Sequence, residues 1–157
     1  MEVKCKWIKQ CINTYGNMTL EQLYDICENA NYVNIYTDGA TQYKNGKRQS
    51  GIGVYFGDND IRNLSNLVDT IDNNECELLA CIEALSIAHE PFIRIYTDSR
   101  LVADGMNGKC KKIKFDLFNR LEQLTLNFID VQFIFVKGHN NNNGNEKADA
   151  LSRLKFN

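Results

Sequence analysis

The chain has 157 residues and 43% hydrophobic composition, enough for one compact domain with a real core and too short for two. No apolar run approaches the roughly 18–20 residues of a membrane span. The amino end, MEVKCKWIKQ, has lysines with no apolar core behind them, so neither a spanning helix nor a secretory signal is expected. The 18 Lys and Arg against 20 Asp and Glu leave a net charge of −2, which argues against a nucleic-acid partner unless something neutralises part of the acid.

Six cysteines (5, 11, 27, 76, 81 and 110) form no CxxC pair and no metal-ligand pattern. Together with the missing signal they read as reduced thiols of an intracellular protein with no disulfide-linked partner.

Along the chain, Thr19-Leu20-Glu21-Gln22 predicts a helix start with Thr19 as N-cap and Leu20, Leu23, Tyr24 and Cys27 on one face. Residues 1–31 are therefore expected to be a helical extension of unknown role, and residues 32–157 the main domain. From residue 32, Val33, Ile35 and Thr37 alternate with Asn34, Tyr36 and Asp38 as in a half-buried strand. Lys44-Asn45-Gly46-Lys47 is a turn signal, followed by a second strand over 50–57 and a weaker third over 61–68. Asn73-Asn74 opens a helix running to about residue 89, and Pro91 ends the connection after it. A fourth strand over 92–97, a short helix after Ser99 and a helix over 115–127 follow. A fifth strand over 131–136, a polar loop over 138–144 and a last helix over 145–154 complete the order. Three strands joined by short loops predict an antiparallel meander, and strands separated by helices predict parallel crossovers. The expected fold is α/β: a mixed five-stranded sheet flanked by helices, its first three strands antiparallel and its fourth and fifth parallel to the first.

The tetrapeptide IYTD occurs at 35–38 and again at 95–98, with no repeat around it. If the first and fourth strands lie side by side and parallel, about 4.8 Å apart, Asp38 and Asp98 meet at the carboxyl ends of the strands, where α/β sheets place their sites. Gly39 and Ser99 beside them are small enough to let a ligand approach. A lone Asp after a strand is otherwise an ordinary turn former, and Asp98 before Ser99-Arg100-Leu101 also reads as a helix cap. Two more acids bear on the choice. Glu77 lies on a helix row with Ala80, Cys81 and Ala84, next to the row Leu78, Ile82 and Leu85, where a carboxylate must be paired, metal-bound or protonated. Glu75, Glu83 and Glu90 read as surface acids. Asp149 in NEKADALSRL reads equally as an i,i+4 partner of Arg153.

Five blocks in order then carry a resemblance: Tyr36-Thr37-Asp38-Gly39, Asn73-Asn74-Glu75-Cys76-Glu77-Leu78, Tyr96-Thr97-Asp98-Ser99, Val136-Lys137-Gly138-His139 and Gly144-Asn145-Glu146-Lys147-Ala148-Asp149. From about residue 32 to 154 the chain resembles type 1 ribonuclease H, whose fold has the first strand beside the fourth. The resemblance implies an enzyme that hydrolyses the RNA strand of RNA–DNA hybrids and leaves 5′-phosphate and 3′-hydroxyl ends. It implies that Asp38, Glu77, Asp98 and Asp149 hold two Mg²⁺, with Mn²⁺ as a substitute. Asp38 would bridge the ions, Glu77 and Asp98 would complete one site, and Asp149 the other. His139 would assist proton transfer or product release. Asn45, Asn73, Asn74 and the backbone at Gly39 would face the minor groove, where amides both donate to and accept from 2′-hydroxyls. Ser99 is counted with these contacts, and Asn145 would orient the region of the second ion. Neutralising four of the 20 acids turns a net charge of −2 into +2, which leaves a modest, salt-sensitive attraction for phosphate.

The chain departs from the family in three places. Residues 106–115 (MNGKCKKIKF) are short, with only Lys109, Lys111, Lys112 and Lys114, where many members carry a basic helix and loop that grips the hybrid. A reduced substrate handle is therefore expected. Asp72 stands where many members have Thr beside the phosphate path, and Glu75 replaces a frequently basic residue. Residues 1–31, with Trp7, Lys4, Lys6 and Lys9 as the only hint, do not resemble the family's hybrid-binding module.

The expected protein is a free-standing, monomeric nuclease. A ribonuclease H domain from a retroelement polymerase is less favoured by the initial Met and by the chain ending after the last helix. Integrases and resolvases share the fold, but the GHNNNN–GNEKAD block and the helix-borne Glu77 argue against them. A non-catalytic hybrid-binding scaffold should have lost a ligand, whereas all four acids and the histidine are present.

Overall fold

The computed structural model describes residues 5–111 and 114–156. Lys4 and Lys112 lie outside the described residues, as do the side chains of Cys5, Lys6 and Cys27.

Among the described residues eleven elements follow one another: α1 (Cys5–Tyr15), α2 (Leu20–Glu28), β1 (Val33–Lys44), β2 (Lys47–Tyr55), β3 (Leu64–Val68), α3 (Asn73–Ile87), β4 (Phe92–Thr97), α4 (Arg100–Met106), α5 (Phe115–Thr125), β5 (Asp130–Phe135) and α6 (Asn143–Arg153). The five strands form one sheet in the order β3-β2-β1-β4-β5. β1, β2 and β3 pair antiparallel, and β4 and β5 run parallel to β1. The expected mixed sheet is the observed one.

Alternation builds the two faces. Ile35, Val54, Ile93, Ile95 and Phe133 point to one side, where Leu78, Ile82 and Leu85 of α3, Val102 of α4, and Phe118 and Leu121 of α5 close the main core. Both expected rows of α3 are buried, because Ala80, Cys81 and Ala84 are covered as well as the larger side chains. α6 lies across the other face. A Cβ on Gly53 would stand 2.1 Å from the Ala148 carbonyl oxygen, so the missing side chain lets α6 settle directly on β2.

A second, smaller core sits under the amino ends of the strands. Trp7 and Cys11 of α1 and Leu23 of α2 pack with Phe92 and Ile129, with Trp7 edge-on to Phe92 at 5.2 Å. Thr19 caps α2 as expected: its hydroxyl accepts from Gln22 N at 3.1 Å and its N–H donates to Gln22 Oε1 at 2.8 Å. No described helix is long and apolar enough to cross a membrane.

Several boundaries differ from the sequence reading. β1 and β2 continue pairing to Lys44↔Lys47 as one long hairpin, turned by Asn45 (φ 54) and Gly46 (φ 73). The third strand starts at Leu64, because polar side chains capture the backbone before it. Asn63 accepts from Phe56 N at 2.7 Å, and Arg62 binds Asp60 and Glu90 while stacking on Phe56. Glu90 is thus an ion-pair partner of Arg62 at 2.7 Å and not an ordinary surface acid. α6 begins two residues early because the Asn142 side chain caps it, accepting from Asn145 N at 3.0 Å.

Candidate active site

The two IYTD segments pair in register: Ile35↔Ile95, Tyr36↔Tyr96 and Thr37↔Thr97. Each residue type has one job on both strands. Ile35, Ile95, Thr37 and Thr97 are fully buried, and Tyr36 stacks on Tyr96 at 4.7 Å with the rings 14° apart. The register leaves Asp38 and Asp98 side by side where β4 ends. Glu77 comes to them from the first turns of α3, and carboxylate oxygens of Asp38, Glu77 and Asp98 lie within 4.8 Å of one another.

α3 can deliver Glu77 there because Gly39 has no side chain. A Cβ at Gly39 would stand 2.6 Å from Cys76 Cβ and 2.9 Å from Glu77 N. The space a side chain would take at Gly39 is therefore filled by the helix. Asp38 is buried, and its Oδ1 accepts from Gly39 N at 2.9 Å. Oε2 of Glu77 is closed off from solvent and has no hydrogen-bond partner.

Burial first, then the charges of Glu77 and Asp98, push the Asp38 carboxyl far above the ordinary carboxylate range, and hydrogen-bonding contact with Asp149 and Glu77 adds to this. Burial, followed by the Asp98 charge, raises Glu77 in the same way. Asp98 is raised by burial, while the nearby His139 works in the opposite direction. Three carboxylates this close hold a proton or a cation between them.

Asp149 stands at the rim, outside the group of three. It adds to the upward shift of Asp38, and Arg153 Nε donates to its Oδ1 at 3.1 Å, so the expected i,i+4 pairing is present. His139 is exposed, in the left-handed region (φ 55), on the loop before α6. The preceding Gly138 passes so close to the site that a Cβ there would be 2.8 Å from Asp98 Oδ2.

The other expected contacts are spread more widely. Ser99, not Asp98, caps α4, its hydroxyl accepting from Val102 N at 3.2 Å. The cap reading of Asp98 is thereby excluded. Asn73 Oδ1 accepts from Thr41 Oγ1 at 3.0 Å and from Arg48 at 2.8 Å, which leaves its amide N–H groups available. Asn74 follows it in the first turn of α3, its N–H donating to Asp72 Oδ1 at 2.8 Å. Asn145 is buried with its Oδ1 unpartnered. Asn45 is exposed at the hairpin tip, well away from the carboxylates.

Asp72 and Glu75 are not the bare acids the sequence presents. Asp72 caps α3 through Asn74 N and Glu75 N, and Lys114 Nζ lies 2.7 Å from its other oxygen. Lys114 also stands 3.9 Å from Glu75, which accepts a hydrogen bond from Thr70. Neither Lys114 nor Arg48 was legible as a neighbour of this site, because both reach it only through tertiary packing.

A family model described as RNase H matches residues 30–156. The chain belongs to the ribonuclease H family. Among its relatives, the ribonuclease H of Cyanothece sp. is 34% identical over 142 residues, spanning 80% of this chain and 89% of that protein. The RNase H1 structure from the halophilic archaeon Halobacterium salinarum superposes with a TM-score of 0.61 at 28% identity, covering 78% of this chain and 96% of that one. LC11-RNase H1, solved in complex with an RNA/DNA hybrid, gives a TM-score of 0.58 over 77% of this chain and 94% of that one. At 20% identity it speaks for the ribonuclease H fold alone. The acidic cluster of this ribonuclease H chain therefore lies within the matched region.

Proposed function

We propose that the protein cleaves the RNA strand of RNA–DNA hybrids as an endonuclease, leaving 5′-phosphate and 3′-hydroxyl ends. The observation that carries this reading is the convergence of Asp38, Glu77 and Asp98 within 4.8 Å, with a shielded and unpartnered Glu77 oxygen among them. Hard carboxylate oxygens of this kind suit Mg²⁺ or Mn²⁺, so the donor set fits the divalent cofactor. Asp38 and Asp149 would hold one ion and Asp38, Glu77 and Asp98 the other. Bound there, two such ions supply an activated water and stabilise the charge on the leaving oxygen.

The remaining roles belong to the chain. Thr37 and Thr97, fully buried, fix the neighbouring backbone from which Asp38 and Asp98 project. His139, on an exposed loop next to Asp98, moves a proton at the leaving oxygen or eases product away. Asn73, Asn74, Asn45 and the Gly39 backbone contact 2′-hydroxyls, which distinguish RNA from DNA. Ser99 adds a contact through its hydroxyl proton, and Asn145 orients the Asp149 side of the site. The protein acts as a monomer inside the cell.

The test is a 5′-labelled RNA–DNA hybrid incubated with the protein in Mg²⁺, Mn²⁺ or EDTA, beside single-stranded RNA, RNA duplex and DNA duplex. The expected result is metal-dependent cutting of the RNA in the hybrid alone, abolished by Asp98→Asn. Hybrid that is bound but never cut in either metal would overturn the nuclease reading in favour of a binding module.

A further inference from the structure

The β1–β2 hairpin runs past everything that pairs with it. β4 stops at Thr97 opposite Thr37, and β3 stops at Val68 opposite Ser50, yet β1 and β2 continue to Lys44↔Lys47. Residues 42–49 therefore form a two-stranded arm rising from the sheet edge that carries Asp38 and Asp98. At about 3.4 Å per residue its tip stands about 20 Å beyond Asp38.

The arm is charged in one sense only. No Asp or Glu occurs from Gly39 to Gly57, a stretch that contains Lys44, Lys47 and Arg48. Lys44 and Lys47 sit directly across the ladder from each other, and neither has an acid partner among the described residues. Like charges directly opposed on a hairpin destabilise it, and an anion lying between them removes that cost. Asp69 is the nearby acid, but it lines a hollow at the root with Arg48 and Gln49, short of the tip. Arg48 is fixed to Asn73 at 2.8 Å, which ties the root to the first turn of α3, the helix that bears Glu77. By contrast Lys114, in the shortened basic segment, is already bound to Asp72.

We propose that this arm is the substrate handle of the chain: Lys44 and Lys47 grip the phosphate backbone of the hybrid about 20 Å from the cleaved phosphate. Each strand of a duplex offers a phosphate about every 3.4 Å, so the grip falls about six base pairs from the cut. The arm takes over work for which residues 106–115 are short and in which Lys114 is already bound to Asp72. This proposal rests on the hybrid reading of the acidic site.

The experiment compares Lys44→Ala/Lys47→Ala with the parent chain, both carrying Asp98→Asn to prevent cutting, on an 18-base-pair hybrid over a range of salt concentrations. Losing two phosphate contacts should make the slope of log K against log salt shallower by about 2. Affinity should fall at least about tenfold near 0.15 M salt, and the thermal midpoint should hold or rise as the repulsion disappears. Lys44→Arg/Lys47→Arg should restore slope and affinity. An unchanged slope and affinity in the alanine variant, with the hybrid still bound by the parent and cut by the wild type, would overturn the handle and leave the nuclease reading standing. A wild-type chain that neither binds nor cuts the hybrid would overturn both.

Discussion

At Gly138 a missing methyl group decides where a carboxylate stands. A Cβ there would lie 2.8 Å from Asp98 Oδ2, the mobile end of a side chain, so Gly138→Ala is accommodated by moving Asp98 and not by unfolding. The variant should lose at least about tenfold in hybrid cleavage, on the scale of a displaced catalytic group, while its thermal midpoint stays close to wild type. A midpoint that drops with the activity would show instead that the loop itself had failed to fold. The carboxylates also set the pH dependence of stability. Asp38, Glu77 and Asp98 all bind protons more tightly in the folded chain than in the unfolded one. Their penalty is absent at low pH and grows as pH rises above the unfolded values of about 4. Asp60, Asp72 and Glu90 are shifted downward, so their contribution is complete above about pH 5 and cannot cancel this trend. In EDTA the thermal midpoint should fall between pH 5 and pH 8, and Asp38→Asn should flatten the fall. Mg²⁺ or Mn²⁺ should raise the midpoint more at pH 8 than at pH 5. A midpoint indifferent to pH and to Asp38→Asn would remove the electrostatic account of the cluster. At this scale the sequence was most informative where chemistry repeated: the two aspartates were legible because IYTD occurs twice, and Glu77 because it breaks an apolar row. The Lys114–Asp72 pair was not legible, since nothing local brings the residues that precede α5 and α3 together.

The element that positions Glu77 begins with a cap that is also an ion pair. Asp72 accepts from Asn74 N and Glu75 N with one oxygen and meets Lys114 with the other. Asp72→Ala removes the cap and should cost about 1 kcal/mol, read as a thermal midpoint about 2–4 °C lower in a chain of this length. Asp72→Thr keeps a capping oxygen, deletes a negative charge and releases Lys114. It should hold the wild-type midpoint and bind the hybrid more tightly, with a steeper salt dependence in a titration at two or more salt concentrations. Weaker binding by Asp72→Thr would mean that the ion pair shapes the site more than its charge hinders it. Element boundaries were legible where side chains name their own geometry, as Thr19 does for α2 and Asn45-Gly46 for the hairpin. They were lost where a distant residue intervened. Arg62, held by Asp60 and Glu90, draws residues 57–63 out of the sheet, and an apolar pattern cannot show that.

Across the molecule, the small core and the acidic cluster occupy opposite ends of β4. β4 starts at Phe92 in the small core and ends at Thr97 beside the acidic cluster, five steps or about 17 Å away. The extension of residues 5–28 is thus packed beneath the sheet, far from the carboxylates. Its role was not legible in the sequence, because its partners Phe92 and Ile129 read as ordinary apolar residues of the main domain, distant along the chain. Its geometry predicts a separation of stability from chemistry. Trp7 is 8% exposed and meets Phe92 edge-on, so Trp7→Ala leaves a large cavity between α1 and the sheet. The loss should be about 3 kcal/mol, or roughly 6–12 °C in the thermal midpoint. Well below that midpoint, kcat and KM on the hybrid should match wild type, because among the described residues none of the acidic cluster belongs to the small core. Impaired hybrid binding at an unchanged midpoint would contradict this picture and make the extension part of the substrate surface.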